Sequence, residues 1–153
     1  MEYCILGVLA VFGLLIGSFL NVVILRFDTG ASIGKGRSKC FSCEKTLSWY
    51  ELFPLFSFLF QKGRCRGCFT KISWQYPIVE LLGASVFPVA YILNPSAFMT
   101  MQGLLAYTLT VLLLCIYIVI TVYDIRHKII PDVFSYGAAG IALCALGLDR
   151  SEE

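Results

Sequence analysis

Residues 39–84 read "KCFSCEKTLSWYELFPLFSFLFQKGRCRGCFTKISWQYPIVELLGA". Two Cys-x-x-Cys pairs, Cys40/Cys43 and Cys65/Cys68, bracket an aromatic stretch, and the second pair runs straight into an apolar segment. Four thiolates in two such pairs are how a zinc ribbon or knuckle presents a tetrahedral Cys4 site. Disulfides are the alternative reading, which a reducing compartment disfavours. Soft sulfur donors suit Zn better than Ca or Mg. With every position of the ion filled by protein, the site is structural: it folds a loop that has little core of its own. Why such a loop adjoins so oily a segment is a question for the rest of the chain.

The composition places that loop in a membrane protein. Of 153 residues, 58% are hydrophobic and 14% charged, and the mean hydropathy is +0.80, above the usual range for a soluble domain. A bilayer-spanning helix needs roughly 20 mainly apolar residues. Four stretches qualify in outline: about 3–25, 77–93, 103–123 and 131–148, the second and fourth being short. The first lacks a basic start and a small-residue cleavage site and is long for a signal peptide, so it reads as a retained span. The expected fold is an all-α membrane protein of about four transmembrane helices, with the zinc-binding loop between the first two. The expected segments are 1–26 (first helix), 27–76 (loop with an interfacial helix) and 77–153 (remaining helices).

Lys and Arg collect on the cytoplasmic side of spans. Arg26, Lys35, Arg37, Lys39, Lys45, Lys62, Arg64, Arg66 and Lys71 lie between the first and second spans, and Arg126 and Lys128 between the third and fourth. Residues 94–102 hold no Lys or Arg, and Arg150 sits in the tail. This pattern expects the N-terminus outside, 26–76 inside, 94–102 outside, 124–130 inside and the C-terminus outside. A net charge of +2 is too small to point to nucleic acid, so the basic excess reads as topology and contact with anionic lipid heads.

Polar residues in and beside the spans carry the remaining signals. In "GLLIGSFLNVVILR", Gly13 and Gly17 allow close helix approach, and Ser18 and Asn21 can hydrogen-bond across such a contact. Asn21 can alternatively stand at the rim of a site. "LSWYELFPLFSFLF", residues 47–60, is too apolar for a solvated linker and is broken by Pro54. It is expected either to pack along the membrane interface, with Trp49 and Tyr50 at headgroup depth, or to form a hydrophobic lid. Acids in or at the ends of spans are costly and face protein or water. Glu80 enters the second span, Asp124 ends the third, and Asp132 opens the fourth, where the helix dipole favours an acid. His127 reads as an interfacial charge or donor. Cys4, Cys115 and Cys144 read as small buried hydrophobes.

Together these motifs resemble the N-terminal part of the type IV prepilin peptidases, bacterial inner-membrane aspartic proteases of the Gly-x-Gly-Asp type. "GSFLNVVILR", "CFSC" with "CRGC", "ISWQYPIVELLGA" and "DIRHKIIPD" stand in the family's order and cover most of residues 13–140. The resemblance implies that Asp124, opening an Asp-x5-Ile-Pro-Asp motif, is the first catalytic aspartate, and that Cys40, Cys43, Cys65 and Cys68 bind zinc. It implies a multi-pass protein of the inner membrane. Its substrates would be prepilins and pseudopilins, shorn of a basic leader at the cytoplasmic face, and in many members the new N-terminus is methylated from S-adenosylmethionine. Hydrolysis without a metal nucleophile needs one carboxylate to activate water and another to protonate the leaving amine, and two close acids divide those roles by repulsion. A zinc-knit loop would then shape and cover a cavity where lipid meets cytosol.

The family's second catalytic aspartate stands in a Gly-x-Gly-Asp motif, which this sequence does not contain; Asp149 follows "LGL" instead. A fragment, a split protein completed by a partner, or a homodimer pairing two copies of Asp124 are the competing expectations, with Asp132 as a local substitute. The rival from another class is a noncatalytic, membrane-anchored zinc module that binds prepilins or assembly proteins. No glycine-rich strand-to-helix turn announces a nucleotide pocket, so the sequence locates no S-adenosylmethionine site.

Overall fold

The computed structural model describes residues 2–27, 29, 32–94 and 98–149, with side chains as far as Ala145. Arg150 and the tail, and the side chain of Asp149, lie outside the described residues. The order of elements is α1 (Glu2–Arg26), a 3-10 turn (Trp49–Leu52), α2 (Phe56–Phe60), α3 (Gln75–Leu93), α4 (Met101–His127) and α5 (Asp132–Asp149). Among the described residues there is no strand, only the isolated bridges Lys39↔Thr46 and Arg64↔Lys71.

The four apolar stretches are all helical, each within a few residues of its expected bounds. Three of them, Glu2–Arg26, Gln75–Leu93 and Met101–His127, are long and apolar enough to cross a membrane. The fourth, α5 (Asp132–Asp149), is apolar as far as its side chains are described, over Asp132–Ala145. Protein covers only 17% of the most apolar window of Met101–His127 and 28% of that of Glu2–Arg26. A helix that is apolar all round and so little covered presents its side chains to a nonaqueous surrounding. The protein is an integral membrane protein. The same fact corrects the reading of the isolated cysteines: Cys4 and Cys144 are exposed and Cys115 is half-buried, because an apolar neighbourhood in a span need not be a protein core.

The chain divides into two compact units, Val11–Ala84 and Met1–Ala10 with Ser85–Glu153. In the first, α1 and the start of α3 meet through glycine. A Cβ at Gly17 would lie 2.8 Å from Glu80 Cα, one at Gly83 would lie 2.6 Å from Gly17 Cα, and one at Gly13 would collide with the Gly83 carbonyl. This is small-residue packing of the kind that brings membrane helices together. Leu20, Ile24 and Val79 are buried in the same unit.

In the second unit, α4 starts at Thr100, whose hydroxyl accepts the Gly103 N–H at 3.0 Å, a good N-cap. It ends at Lys128, whose left-handed backbone directs its N–H to the Asp124 carbonyl at 2.6 Å. Residues 129–131 then lead to α5, which packs on α4.

Candidate functional site

The two Cys-x-x-Cys segments fold as near copies of one knuckle. Lys39 bridges Thr46, and Arg64 bridges Lys71. The N–H of Cys40 donates to Lys45 O at 3.0 Å and that of Cys65 to Thr70 O at 3.0 Å. Glu44 N donates back to Cys40 O at 3.0 Å and Phe69 N to Cys65 O at 2.9 Å. Both Glu44 (φ 55°) and Phe69 (φ 58°) take the left-handed conformation needed to turn the chain after the second cysteine. Each copy then reaches a Ser-Trp step: Ser48-Trp49 opens the 3-10 turn, and Ser73-Trp74 leads into α3, with Ser73 Oγ accepting the Gln75 N–H at 3.2 Å. The repeat is visible in the sequence as "KCFSCEKTLSW" against "RCRGCFTKISW", a signal that attention to the cysteines alone misses.

The knuckles bring all four thiols to one point. Cys40 Sγ and Cys68 Sγ are 3.8 Å apart, and Cys43 Sγ and Cys65 Sγ are 4.0 Å apart. All four sulfurs lie within 4.8 Å of one another. Sulfurs about 2.3 Å from a tetrahedral Zn²⁺ would stand roughly 3.8 Å apart, so the cluster can hold a metal ion of that size and geometry.

The thiols are uneven acids. Cys68 is lowered to about 6, chiefly by hydrogen bonding to the Thr70 hydroxyl and backbone; its sulfur is 3.2 Å from Thr70 Oγ1. Cys65, 4% exposed, is lowered by the N–H groups of Cys68 and Gly67. At Cys43 the Lys45 N–H works downward but is outweighed by desolvation and the three neighbouring thiols, which push it up to about 11. Four thiolates packed this closely repel one another, and a divalent metal would supply the compensating charge.

Charged residues around the cluster fix the first knuckle internally. Glu51, 5% exposed, accepts from Lys45 Nζ at 3.0 Å and from Ser48 N at 2.9 Å. The Ser48 N–H first, and Lys45 after it, hold the Glu51 carboxyl below the usual carboxylate range. Arg66 stands over the Tyr50 ring at 5.4 Å. At the loop's entrance Arg26 gathers carbonyls, donating to Ser32 O at 2.7 Å and Lys35 O at 3.0 Å.

Glu80 and Asn21 tie this loop to the helices. Glu80, 7% exposed, accepts the Leu55 N–H at 2.8 Å. Leu55 has φ 58° and is the N-cap residue just before α2, so the carboxylate of α3 pins the strained corner after Pro54 in the aromatic stretch. Asn21, 1% exposed, donates to Tyr76 O at 3.2 Å, which is the helix-packing alternative rather than the rim of an open site.

Asp124 is half-buried in the last turn of α4, and Asp132 is exposed at the first residue of α5. His127 is exposed, its ring stacked on Tyr123 at 4.4 Å. These residues belong to one unit and the cysteine cluster to the other.

Residues 11–93 match the family model described as the Bacterial Peptidase A24 N-terminal domain. The chain belongs to this family. Within the matched range lie both knuckles, Asn21 and Glu80; Asp124 lies beyond it. Among curated relatives of this peptidase family, the type 4 prepilin-like proteins leader peptide-processing enzyme of Escherichia coli is 35% identical over 91% of this chain and 56% of its own length. The prepilin leader peptidase/N-methyltransferase of Bacillus subtilis is 37% identical over 83% of this chain and 48% of its own. That of Myxococcus xanthus is 52% identical over 52% of this chain and 24% of its own. The chain thus spans about half the length of the first and second of these relatives, and less of the third. No solved structure gives a significant match.

Proposed function

We propose that this chain carries the zinc-stabilised, substrate-facing part of a prepilin leader peptidase of the bacterial inner membrane, with residues 27–76 on the cytoplasmic side. The family match and the relatives' names support the activity, and the basic residues of the loop support its sidedness. The observation that carries the reading for the catalytic centre is Asp124, which opens Asp-x5-Ile-Pro-Asp at the last turn of a span-length helix. A carboxylate there meets water while the apolar segment of a prepilin stays in lipid.

Asp124 serves as one of two catalytic carboxylates, paired with a second acid carried on further spans or by a partner chain. One of the pair takes a proton from water and the other protonates the departing amine. Cys40, Cys43, Cys65 and Cys68 hold one structural zinc ion, whose chemistry is that of a crosslink between the two knuckles. The relatives' name joins an N-methyltransferase to the peptidase. Among the described residues no strand leads into a glycine-rich turn, so no step is assigned to S-adenosylmethionine.

The test is prepilin cleavage by this chain, alone and co-reconstituted with further spans bearing the Gly-x-Gly-Asp motif. Cleavage is expected to be lost in Asp124→Ala and retained in Asp132→Ala. Cleavage indifferent to Asp124→Ala removes the catalytic assignment and leaves a noncatalytic prepilin-binding zinc module.

A further inference from the structure

The second knuckle borders a cavity. Phe58, Lys62, Arg64, Lys71, Ile72 and Trp74 line this cavity of about 470 Å³. One wall is aromatic, with the rings of Phe58 and Trp74 at 5.1 Å. Its charge is one-sided: Lys62, Arg64 and Lys71 all face it, and no acid is among its lining residues. Among the described residues the ion pair is spent elsewhere, on Lys45 and Glu51 of the first knuckle.

Two of these cations are set against each other. Arg64 and Lys71 are the partners of an antiparallel bridge, where like charges directly opposite repel. The equivalent pair in the first knuckle, Lys39 and Thr46, carries one charge only. An anion received between Arg64 and Lys71 turns that repulsion into a binding site, and a guanidinium beside an ammonium is a donor set suited to phosphate oxygens.

The location narrows the source of the phosphate. Trp74 immediately precedes Gln75–Leu93, one of the three span-length helices. The cavity therefore stands at the end of a span, at the depth where indole rings and headgroups mix. We infer that this cavity binds the phosphate headgroup of an anionic phospholipid, with the phosphate on Arg64, Lys71 and Lys62 and the glycerol and upper acyl carbons against Phe58 and Trp74. The inference rests on the membrane placement proposed above and adds to it a defined lipid site.

Both tryptophans of the chain, Trp49 and Trp74, lie in this loop, so Trp49→Phe leaves Trp74 as the sole indole. The full chain with that substitution is reconstituted in bilayers of phosphatidylcholine and phosphatidylglycerol, with bromine quenchers on one lipid or the other. The expected result is quenching by brominated phosphatidylglycerol that corresponds to about fivefold enrichment over its bulk share, the scale set by one basic residue at an anionic surface. Arg64→Gln with Lys71→Gln is expected to return quenching to the bulk share while one metal per chain is retained. Should that double variant lose its metal, Lys62→Gln, which lies outside the bridge, is expected to lower the enrichment by about twofold. Millimolar inorganic phosphate is expected to leave the enrichment in place.

Quenching in proportion to bulk share in the parent, or enrichment that survives both sets of substitutions, overturns the headgroup site. Enrichment abolished by inorganic phosphate assigns the cavity to a free anion and overturns the lipid. Quenching by neither brominated lipid places Trp74 away from the bilayer and overturns the membrane placement itself.

Discussion

The two knuckles share a backbone and differ in what surrounds it. The first closes on itself: Lys45 pairs with a buried Glu51, which also receives the Ser48 N–H, and the chain passes into a short 3-10 turn. The second has no acid at its cavity, sets Arg64 against Lys71, and passes into a span-length helix. Paired cysteines alone point to a place where a metal could be held. The residues around each pair show that one half is balanced internally while the other keeps an excess of positive charge beside its cavity.

This contrast can be broken, most severely, by removing the element the knuckles share. Cys65→Ser, which deletes the buried thiol, is expected to abolish stoichiometric zinc and to open residues 27–74 to proteolysis, because such loops fold on the metal. Retained metal and protection in that variant would mean that the loop stands without the cluster.

Glu51→Gln should next expose the first knuckle's dependence on its buried acid. Loss of the charge-assisted bonds to Lys45 and Ser48 is expected to cost about 1–2 kcal/mol, a few degrees in melting temperature. Because the folded carboxyl is held below its usual value of 4.5, its contribution is complete above that pH and is lost as pH falls through the lowered folded value. The gap between parent and variant in melting experiments should therefore be full at neutral pH and close in acid. A gap that widens in acid contradicts the assignment.

Phe69→Gly tests the turn of the second knuckle. With φ at 58° and a side chain that is 71% exposed, replacement by glycine is expected to raise stability by about 1 kcal/mol; destabilisation would show that the phenyl ring has a packing role. Smallest of all, Lys71→Thr gives the second bridge the residue found in the first. In neutral detergent without anionic lipid it should stabilise by roughly 0.2–1 kcal/mol, a gain that shrinks as salt rises. No gain at low salt would mean that Arg64 and Lys71 do not repel.

The helices are legible in the sequence because a span is a matter of length and composition, and those are local: the expected 3–25 and 103–123 correspond to Glu2–Arg26 and Met101–His127. The cysteine cluster is legible because four soft ligands in paired spacing have few other uses. The contact of Gly13 and Gly17 with another helix is readable as a pattern, but its partner is not, since nothing local names Gly83.

The same limit hides the role of Glu80. Its acid stands out in an apolar segment, yet its task depends on the N–H of Leu55, which a corner at Pro54 brings back to α3. Glu51 escapes notice although Ser48-x-x-Glu51 is a local capping pattern, because the aromatic residues around it draw the segment toward an interfacial reading. The basic cavity needs the fold outright, because only the bridge sets Arg64 opposite Lys71, and only the Phe58–Trp74 contact gives it a wall.

On the proposed reading, the two knuckles close together around one zinc ion, as the four converging thiols would allow. X-ray absorption at the zinc edge, with elemental analysis of the full chain purified from a reducing cytosol, addresses this directly. One zinc per chain in a shell of four sulfurs at about 2.3 Å is the predicted result; metal-free protein with its loop intact, or a shell completed by nitrogen or oxygen, contradicts it.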